Sequence, residues 1–201
     1  MTLSKRLFDF FIALGMAIVL GPVFLFLIAL ILIKDGRPVF YVSERMKTPT
    51  QGFRLIKFRT MKPVAEDSGV SGGDKSGRIT RTGGFLRKTR IDEFPQLWNV
   101  IKGDISFVGP RPPLRQYVEA YPDIYGQVLK SRPGITGLAS VYFSAHEERL
   151  LAKCQSADET DEVYRRICIP KKSKIDLIYQ RNSSICFDID LMFRTVFKRL
   201  R

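Results

Sequence analysis

The sequence is poor in the side chains that most metal and nucleophile sites use. Its 201 residues contain one histidine, His146, and three cysteines, Cys154, Cys168 and Cys186. The cysteine spacing matches no structural zinc motif, and the odd number is consistent with a reducing compartment. Serine–histidine chemistry would depend on His146 alone, and no nucleophile motif lies near it. We therefore predict neither a zinc site nor a serine hydrolase.

Acidic residues are also scarce relative to basic ones. The chain has 33 Lys and Arg against 20 Asp and Glu, a formal net charge of +13 and a pI near 9.9. This balance predicts an anionic partner: nucleic acid, anionic lipid or a phosphorylated ligand. Trp98 is the only tryptophan, and no stripe of stacking aromatics runs among the basic residues. We therefore expect no nucleic acid as partner.

The N-terminal segment is the clearest departure from a soluble protein. From residue 7 to residue 33 every side chain except that of Asp9 lacks charge and strong polarity. As one helix the segment would be about 40 Å long, more than the roughly 30 Å hydrocarbon core requires. Pro22 in its middle removes a helical hydrogen bond and disfavours helical geometry at Gly21. Both flanks are basic: Lys5, Arg6, Lys34 and Arg37.

Two arrangements fit this segment equally well. One is a kinked helix that crosses the membrane, and the other is a re-entrant hairpin that enters and leaves by the same face. The positive-inside rule favours keeping both basic flanks in the cytoplasm. Asp9 favours a shallow position, because a carboxylate near Arg6 can form an ion pair at the interface instead of entering the hydrocarbon.

A β-hairpin is predicted after the apolar segment. Residues 38–45 and 52–61 are rich in β-branched and aromatic side chains, and residues 47–51 are typical of a turn. Lys57 and Arg59 share one face of the second strand, with Ile56 and Phe58 on the other face. Two cations on one face can bind phosphate, although a solvated outer face fits the same pattern.

The stretch from Arg87 to Gly103 holds the strongest catalytic candidates. The adjacent carboxylates Asp92 and Glu93 lie between a basic cluster and Pro95, which predicts a short helix ending at Gly103. Carboxylates, cations and a helix N-terminus together can hold a divalent metal and a phosphorylated substrate. An ordinary solvated acidic pair is the alternative. The basic cluster consists of Arg87, Lys88 and Arg90.

The remaining segments give weaker predictions. Residues 63–84 are expected to form a loop, residues 104–108 a strand, and residues 109–113 a rigid turn whose prolines fix the direction of Arg111. A turn at residues 132–137 is expected to lead into a strand that ends at Phe143. Residues 145–166 are typical of a solvated helix with a break near Ser156. Residues 188–201 predict an amphipathic helix whose last cations contact anionic lipid: Lys198, Arg199 and Arg201.

Four motifs in a fixed order resemble those of the bacterial monotopic phosphoglycosyl transferases, also called the bacterial sugar transferase family. The resemblance covers nearly the whole chain and includes the N-terminal Lys5–Asp9 motif with the apolar segment after it. The four motifs are Lys57–Met61, Asp92–Asp104, Val108–Pro112 and Arg132–Ala139. The chain departs from the family pattern at Ser43, Phe94 and Ser140, and from Val141 to Pro170, where we expect sugar specificity to differ.

The resemblance implies a reaction and a set of site residues. A sugar-1-phosphate would pass from a UDP-sugar to polyprenol phosphate, giving polyprenol diphosphosugar and UMP. Asp92 would be the nucleophile that forms an aspartyl phosphosugar intermediate, and Asp92 and Glu93 would hold Mg²⁺. The implied contacts to phosphate and nucleotide are Lys57, Arg59, Arg87, Arg111 and Asp176.

The resemblance also implies an α+β fold and a location. A re-entrant membrane helix hairpin over residues 1–36 would precede a small mixed α/β catalytic domain with amphipathic interfacial helices over residues 37–201. The catalytic domain would lie on the cytoplasmic face of the bacterial inner membrane. A metal-dependent phosphohydrolase with the same carboxylates is the alternative enzyme. A membrane-anchored basic binding protein without chemistry is the third hypothesis, and its sign would be steep salt dependence across unrelated polyanions.

Overall fold

A long N-terminal helix is followed by a mixed α+β body, as predicted, and this body is mostly helical. The computed structural model describes residues 1–64 and 73–197. The helices are α1 (Leu3–Lys34), α2 (Arg81–Thr89), α3 (Gln96–Lys102), α4 (Arg115–Ala120), α5 (Pro122–Val128), α6 (Leu138–Tyr142), α7 (Ser144–Leu151), α8 (Ala157–Val163), α9 (Ile169–Asn182) and α10 (Ile185–Phe197). The strands are β1 (Phe40–Met46), β2 (Gly52–Phe58), β3 (Ser106–Val108) and β4 (Gly134–Thr136). Single 3-10 segments lie at Gly73–Arg78 and Ile91–Glu93, and a π-helical turn lies at Tyr164–Cys168.

Helix α1 is continuous over 32 residues and contains Pro22 in its interior. The Thr2 hydroxyl caps its first turn by accepting a hydrogen bond from the Lys5 N–H. By length and composition the helix can cross a membrane, and most of its apolar window is exposed. The chain stays helical on both sides of Pro22, so the segment is not divided into two helices. The re-entrant arrangement therefore stays a prediction.

The predicted hairpin is confirmed, and it is the first part of the body after α1 in sequence. β1 and β2 pair antiparallel, from Phe40 opposite Phe58 to Met46 opposite Gly52. Alternation along β2 sends Phe53 and Leu55 into the main core, and Phe58 packs with Leu27 and Ile31 of α1. Lys57 shares the core-facing side with Phe53 and Leu55, so its amine is directed into the body.

The short parallel strands β3 and β4 bring two distant segments together beneath the main core. Ser106 pairs with Gly134 and Val108 pairs with Thr136, which confirms the strand predicted within residues 104–108. The core beside them draws on α1, β2, α3, α9 and α10. Its buried members include Ala13, Phe53, Leu55, Leu97, Val100, Ile105, Phe107, Tyr179 and Leu191.

Three local predictions are wrong. Residues 134–136, which were predicted to lie in a turn, form strand β4. Residues 138–142 form helix α6 and not a strand, because five residues are too few for periodicity to separate the two states. The loop predicted for residues 63–84 gives way to helix α2 at Arg81, and its residues 65–72 lie outside the described residues. The Thr80 hydroxyl caps α2 by accepting from the Gly83 N–H at 2.9 Å. A Cβ atom on Gly83 would lie 2.1 Å from the Thr60 carbonyl oxygen, so glycine permits this close packing.

The C-terminal helices follow the predicted pattern. The break near Ser156 is confirmed, because Ser156 caps α8 by accepting from the Glu159 N–H. Helix α10 is amphipathic, with Leu191 buried and Phe193 and Phe197 exposed. The lipid-contacting cations predicted beyond Phe197 lie outside the described residues.

Candidate active site

A cavity of about 1950 Å³ opens between the hairpin, α2, α3, α7 and α10. Both predicted catalytic residues line it, together with four of the five residues predicted to bind phosphate or nucleotide. These residues are Asp92, Glu93, Lys57, Arg59, Arg87 and Arg111. The tertiary structure therefore brings together side chains that lie up to 54 positions apart in sequence, from Lys57 to Arg111.

The acidic pair lies in a single 3-10 turn between α2 and α3. Arg90 ends α2 with a left-handed backbone (φ 60°), which is uncommon for a residue other than glycine. The chain then forms the turn that carries Asp92 and Glu93. Helix α3 follows Pro95 and ends before Gly103 (φ 82°), which confirms the predicted helix. Both carboxylates are buried, with 7% and 8% of their surface exposed.

Glu93 is surrounded by three cations. Its Oε1 atom accepts a 2.8 Å hydrogen bond from Lys57 Nζ. The same atom lies 3.5 Å from a guanidinium nitrogen of Arg90 and 3.5 Å from one of Arg111. Burial alone would raise the pKa of Glu93, but the three cations together lower it to about 2. Glu93 is therefore ionised at neutral pH and holds these cations at the cavity wall.

Asp92 has a different environment, although it is the next residue. Its Oδ1 atom is buried and has no hydrogen-bond partner among the described residues. Burial and the adjacent charge of Glu93 raise the pKa of Asp92, against the opposing effect of Lys57, Arg90 and Arg87. Buried polar atoms normally have partners, so this oxygen has hydrogen-bonding capacity that the described residues do not use. A desolvated carboxylate beside cations suits nucleophilic attack on phosphorus.

Lys57 links the hairpin to this pair. Burial lowers the pKa of Lys57 to about 8, although the charge of Glu93 opposes the shift. The amine is therefore mostly protonated at neutral pH and loses its charge within a mildly alkaline range. It can supply positive charge to a phosphate under ordinary conditions.

Arg59 and Arg87 line the cavity and also bind groups of the protein. One Arg59 nitrogen donates to the carbonyl oxygens of Asp35 at 2.6 Å and Gly36 at 2.7 Å, which anchors the end of α1. The buried Nε of Arg59 has no partner within the part of the chain that is described. Arg87 Nε donates to Thr60 Oγ1 at 3.0 Å. Phosphate binding by these two arginines stays a prediction.

Asp176 is not brought to the cavity that contains Asp92. It lies on α9 and lines a separate cavity of about 20 Å³, which it shares with Arg111 and Lys172. Burial raises the pKa of Asp176 to about 7, with Lys172 opposing the shift. The geometry therefore favours an influence of Asp176 on the two cations over direct contact with a nucleotide.

Four cavity residues were not selected from the sequence. Lys172 Nζ donates to Glu147 Oε1 at 2.9 Å and lies 3.4 Å from the Tyr164 hydroxyl oxygen. These three residues come from helices of mixed charge, where nothing local separates a cavity residue from a solvated one. Arg90 is the fourth residue, and its position two residues before Asp92 was the available signal.

The carboxylates are compatible with Mg²⁺. Among the described residues, no group of three or more His, Cys, Asp or Glu side chains is placed to hold a metal ion. Mg²⁺ is often bound by one or two carboxylates, with substrate phosphates and water completing its coordination. Glu93 and the unpartnered oxygen of Asp92 fit that kind of donor set. The metal site itself stays a prediction.

Comparison with known proteins identifies relatives over the whole chain. The sequence model described as bacterial sugar transferase matches residues 1–201. The uncharacterized sugar transferase EpsL of Bacillus subtilis is 35% identical over 196 residues, which cover 98% of this chain and 87% of EpsL. The exopolysaccharide production protein ExoY of Sinorhizobium fredii is 32% identical, over 96% of this chain and 84% of ExoY.

A third relative carries a reaction in its name. The UDP-glucose:undecaprenyl-phosphate glucose-1-phosphate transferase of Escherichia coli is 33% identical over 200 residues. That match covers 98% of this chain but 40% of the relative, so this chain corresponds to less than half of that protein. Because the family match extends over every residue, the chain belongs to the bacterial sugar transferase family.

Proposed function

We propose that the protein transfers a sugar-1-phosphate from a UDP-sugar to a polyprenol phosphate. The observation that carries this proposal is the buried Asp92, which lines a cavity rich in cations and has one carboxylate oxygen without a hydrogen-bond partner among the described residues. Undecaprenyl phosphate is the acceptor in the name of the E. coli relative, and the same lipid is the acceptor proposed here. The sugar transferase family and this carboxylate together favour phosphoryl transfer through a covalent intermediate.

The proposed reaction has two displacements at one phosphorus atom. A carboxylate oxygen of Asp92 attacks the phosphorus next to the sugar, the bond to the bridging oxygen breaks, and UMP leaves with that oxygen and the electron pair. The enzyme then carries an aspartyl phosphosugar ester. A phosphate oxygen of the lipid attacks the same phosphorus, and Asp92 leaves as a carboxylate. A soluble donor and a lipid acceptor can thus use one site in turn.

Positive charge around the pair supports both steps. Charge stabilisation dominates phosphoryl transfer, and Lys57, Arg90 and Arg111 are already held around Glu93 before substrate binds. Mg²⁺ held by Asp92 and Glu93 with the diphosphate would neutralise charge on the departing UMP. The role proposed for Glu93 is to orient these cations toward the reacting phosphates.

The contacts at both ends of α1 support the proposed re-entrant arrangement. Near its start, Lys5 forms an ion pair with Asp188, and Arg6 donates to the carbonyl oxygens of Val100 and Ile101. At its end, Arg59 binds the two carbonyl groups that follow the helix. A helix that spans a membrane places one end on the far side, whereas both ends of α1 contact the same body. Because both flanks are basic, we place that body on the cytoplasmic face of the inner membrane.

Release of UMP tests the reaction. Purified protein is mixed with a panel of UDP-sugars and Mg²⁺ without acceptor, and UMP is measured after rapid quenching. We expect up to about one UMP per enzyme, and added phosphosugar mass on the peptide that contains Asp92. Continuous turnover without acceptor would favour the phosphohydrolase, and absence of the adduct from every donor would contradict the covalent mechanism.

Cysteine labelling tests the topology. T2C and S183C are made separately in a C186S background, because Cys186 is exposed and the other two cysteines are buried. A membrane-impermeant maleimide should modify both new cysteines in inverted membrane vesicles and neither in intact spheroplasts. Labelling of T2C from the outside would show a spanning helix instead.

A further inference from the structure

The cavity is lined by a charged group and by an apolar group of side chains. Lys57, Glu93 and Arg111 belong to the charged group and are joined by ion pairs. Six apolar lining residues belong to one hydrophobic cluster, and Val196 of α10 also lines the cavity. We call these seven residues the apolar groove: Met16, Leu97, Phe107, Ile135, Val141, Met192 and Val196.

The groove is continuous with the surface proposed to contact lipid. Met16 lies near the middle of α1, and its neighbours Ile18 and Val19 are 70% and 76% exposed. On the other side, Val196 of α10 is 59% exposed and follows the exposed Phe193 by one turn. A ligand that leaves the lipid along α1 therefore meets apolar side chains before it meets the cations.

Two hydroxyl groups that line this part of the cavity are already hydrogen-bonded within the protein. Thr195 Oγ1 donates to the Leu191 carbonyl oxygen at 2.7 Å. Thr136 Oγ1 lies 2.7 Å from Thr195 Oγ1 and can donate to it. These two threonines line the cavity without a remaining donor directed at a ligand. The groove therefore suits an apolar chain better than a sugar or a nucleoside, whose hydroxyl groups would be left unpaired there.

We infer that the apolar groove binds the first isoprene units of the acceptor, with Met16, Met192 and Val196 as contact residues. The inference rests on the proposed function. A polyprenol phosphate joins an anion directly to an apolar chain, and the same cavity is lined by cations and by the apolar groove. The chain would fix the position from which the lipid phosphate attacks the phosphorus held by Asp92.

The test separates donor chemistry from acceptor binding. M192Q replaces a groove side chain by a polar one of similar size. V196Q introduces a polar side chain at an exposed position of the groove, where folding is not at risk. F193Q is the matched control, because Phe193 is an apolar residue of α10 that is not among the lining residues. Farnesyl phosphate is the probe, used as a competitor against undecaprenyl phosphate in detergent, together with UMP release in the absence of acceptor.

We expect M192Q and V196Q to release UMP without acceptor as the wild type does. Their inhibition constant for farnesyl phosphate should rise roughly tenfold, the scale of a lost apolar contact in a binding pocket, and F193Q should be unchanged. Unchanged inhibition in both groove variants, or an equal change in F193Q, would overturn the inference. Loss of UMP release in both would also overturn it, because the groove would then serve the donor. If the wild type itself releases no UMP, the proposed function fails, and not this assignment alone.

Discussion

Asp92 and Asp188 are two buried carboxylates that occupy contrasting regions of the molecule. Asp188 is 1% exposed, forms an ion pair with Lys5 and accepts a 2.7 Å hydrogen bond from the Tyr179 hydroxyl. Asp92 is 7% exposed and keeps an oxygen without a partner among the described residues. The protein completes the environment of Asp188, whereas that of Asp92 is left for a substrate to complete.

A buried carboxylate can therefore have either of two physical roles, depending on its partners. A buried charge with full partners holds elements together, and removing one partner is costly because the other charge stays buried. A buried charge with incomplete partners lowers stability but is ready to react. Asp188 and Lys5 therefore fasten α10 to α1, while Asp92 is the residue proposed to react.

The largest expected effect comes from Asp92→Asn. An amide cannot form the ester, so UMP release and the covalent adduct should fall by at least about 1000-fold. The thermal midpoint should stay equal or rise, since a partly unpaired charge has been removed. The measurements are quenched UMP release, intact-protein mass and thermal unfolding. An active D92N enzyme with an unchanged adduct would contradict the assignment.

Asp188→Asn should reduce stability and leave activity unchanged, the reverse of the effect expected for Asp92→Asn. It leaves Lys5 without its carboxylate partner and should lower the free energy of unfolding by about 3 kcal/mol, as measured by chemical denaturation in detergent. UMP release per folded molecule should remain. The control is Asp190→Asn on the same helix, whose carboxylate pairs with the exposed Arg194. Equal destabilisation by both variants would refute a special role for the buried pair.

Lys57 should control the alkaline side of the pH profile. UMP release should decline as pH rises through about 8, where folded Lys57 loses its proton. The free energy of unfolding should instead rise between pH 8 and 10.5, because the unfolded chain binds more protons than the folded protein in that range.

Variants of Lys57 sharpen this prediction. Lys57→Arg should remove the alkaline decline, since arginine stays charged. Lys57→Met should slow release about 100-fold. The control is Arg54→Met, at an exposed position of the same strand. A decline near pH 8 that persists in K57R would assign the titration to another group.

The smallest expected effect concerns the packing that supports the site. Gly83→Ala places a Cβ atom 2.1 Å from the Thr60 carbonyl oxygen and should cost about 1–3 kcal/mol of stability. In Gly84→Ala the nearest atom is 3.9 Å away, so that neighbour should be neutral or slightly stabilising. The thermal unfolding midpoints of the two variants are compared. Equal midpoints would show that α2 can shift away from the Thr60 carbonyl oxygen.

Local sequence patterns were sufficient to predict those elements whose structure depends on residues close together in the chain. Two runs of β-branched and aromatic residues around a turn predicted the hairpin, and Pro95 with Gly103 predicted α3. Local patterns were insufficient where the structure depends on residues that are distant in sequence. Helix α6 was mistaken for a strand because its apolar run is short, and the sequence did not show that Asp176 lines a separate cavity with Arg111.

The sequence by itself determined the apolar N-terminal helix, the basic charge, the acidic pair and the family, since each depends on residue types at fixed spacing. Only the tertiary structure decided that Asp92 has an oxygen without a partner in the described part of the chain, while its neighbour Glu93 is surrounded by Lys57, Arg90 and Arg111. The physical reason is that burial and electrostatic environment are set by the groups around a side chain. In this protein β2, α2 and the turn after β3 supply those groups from separate parts of the chain.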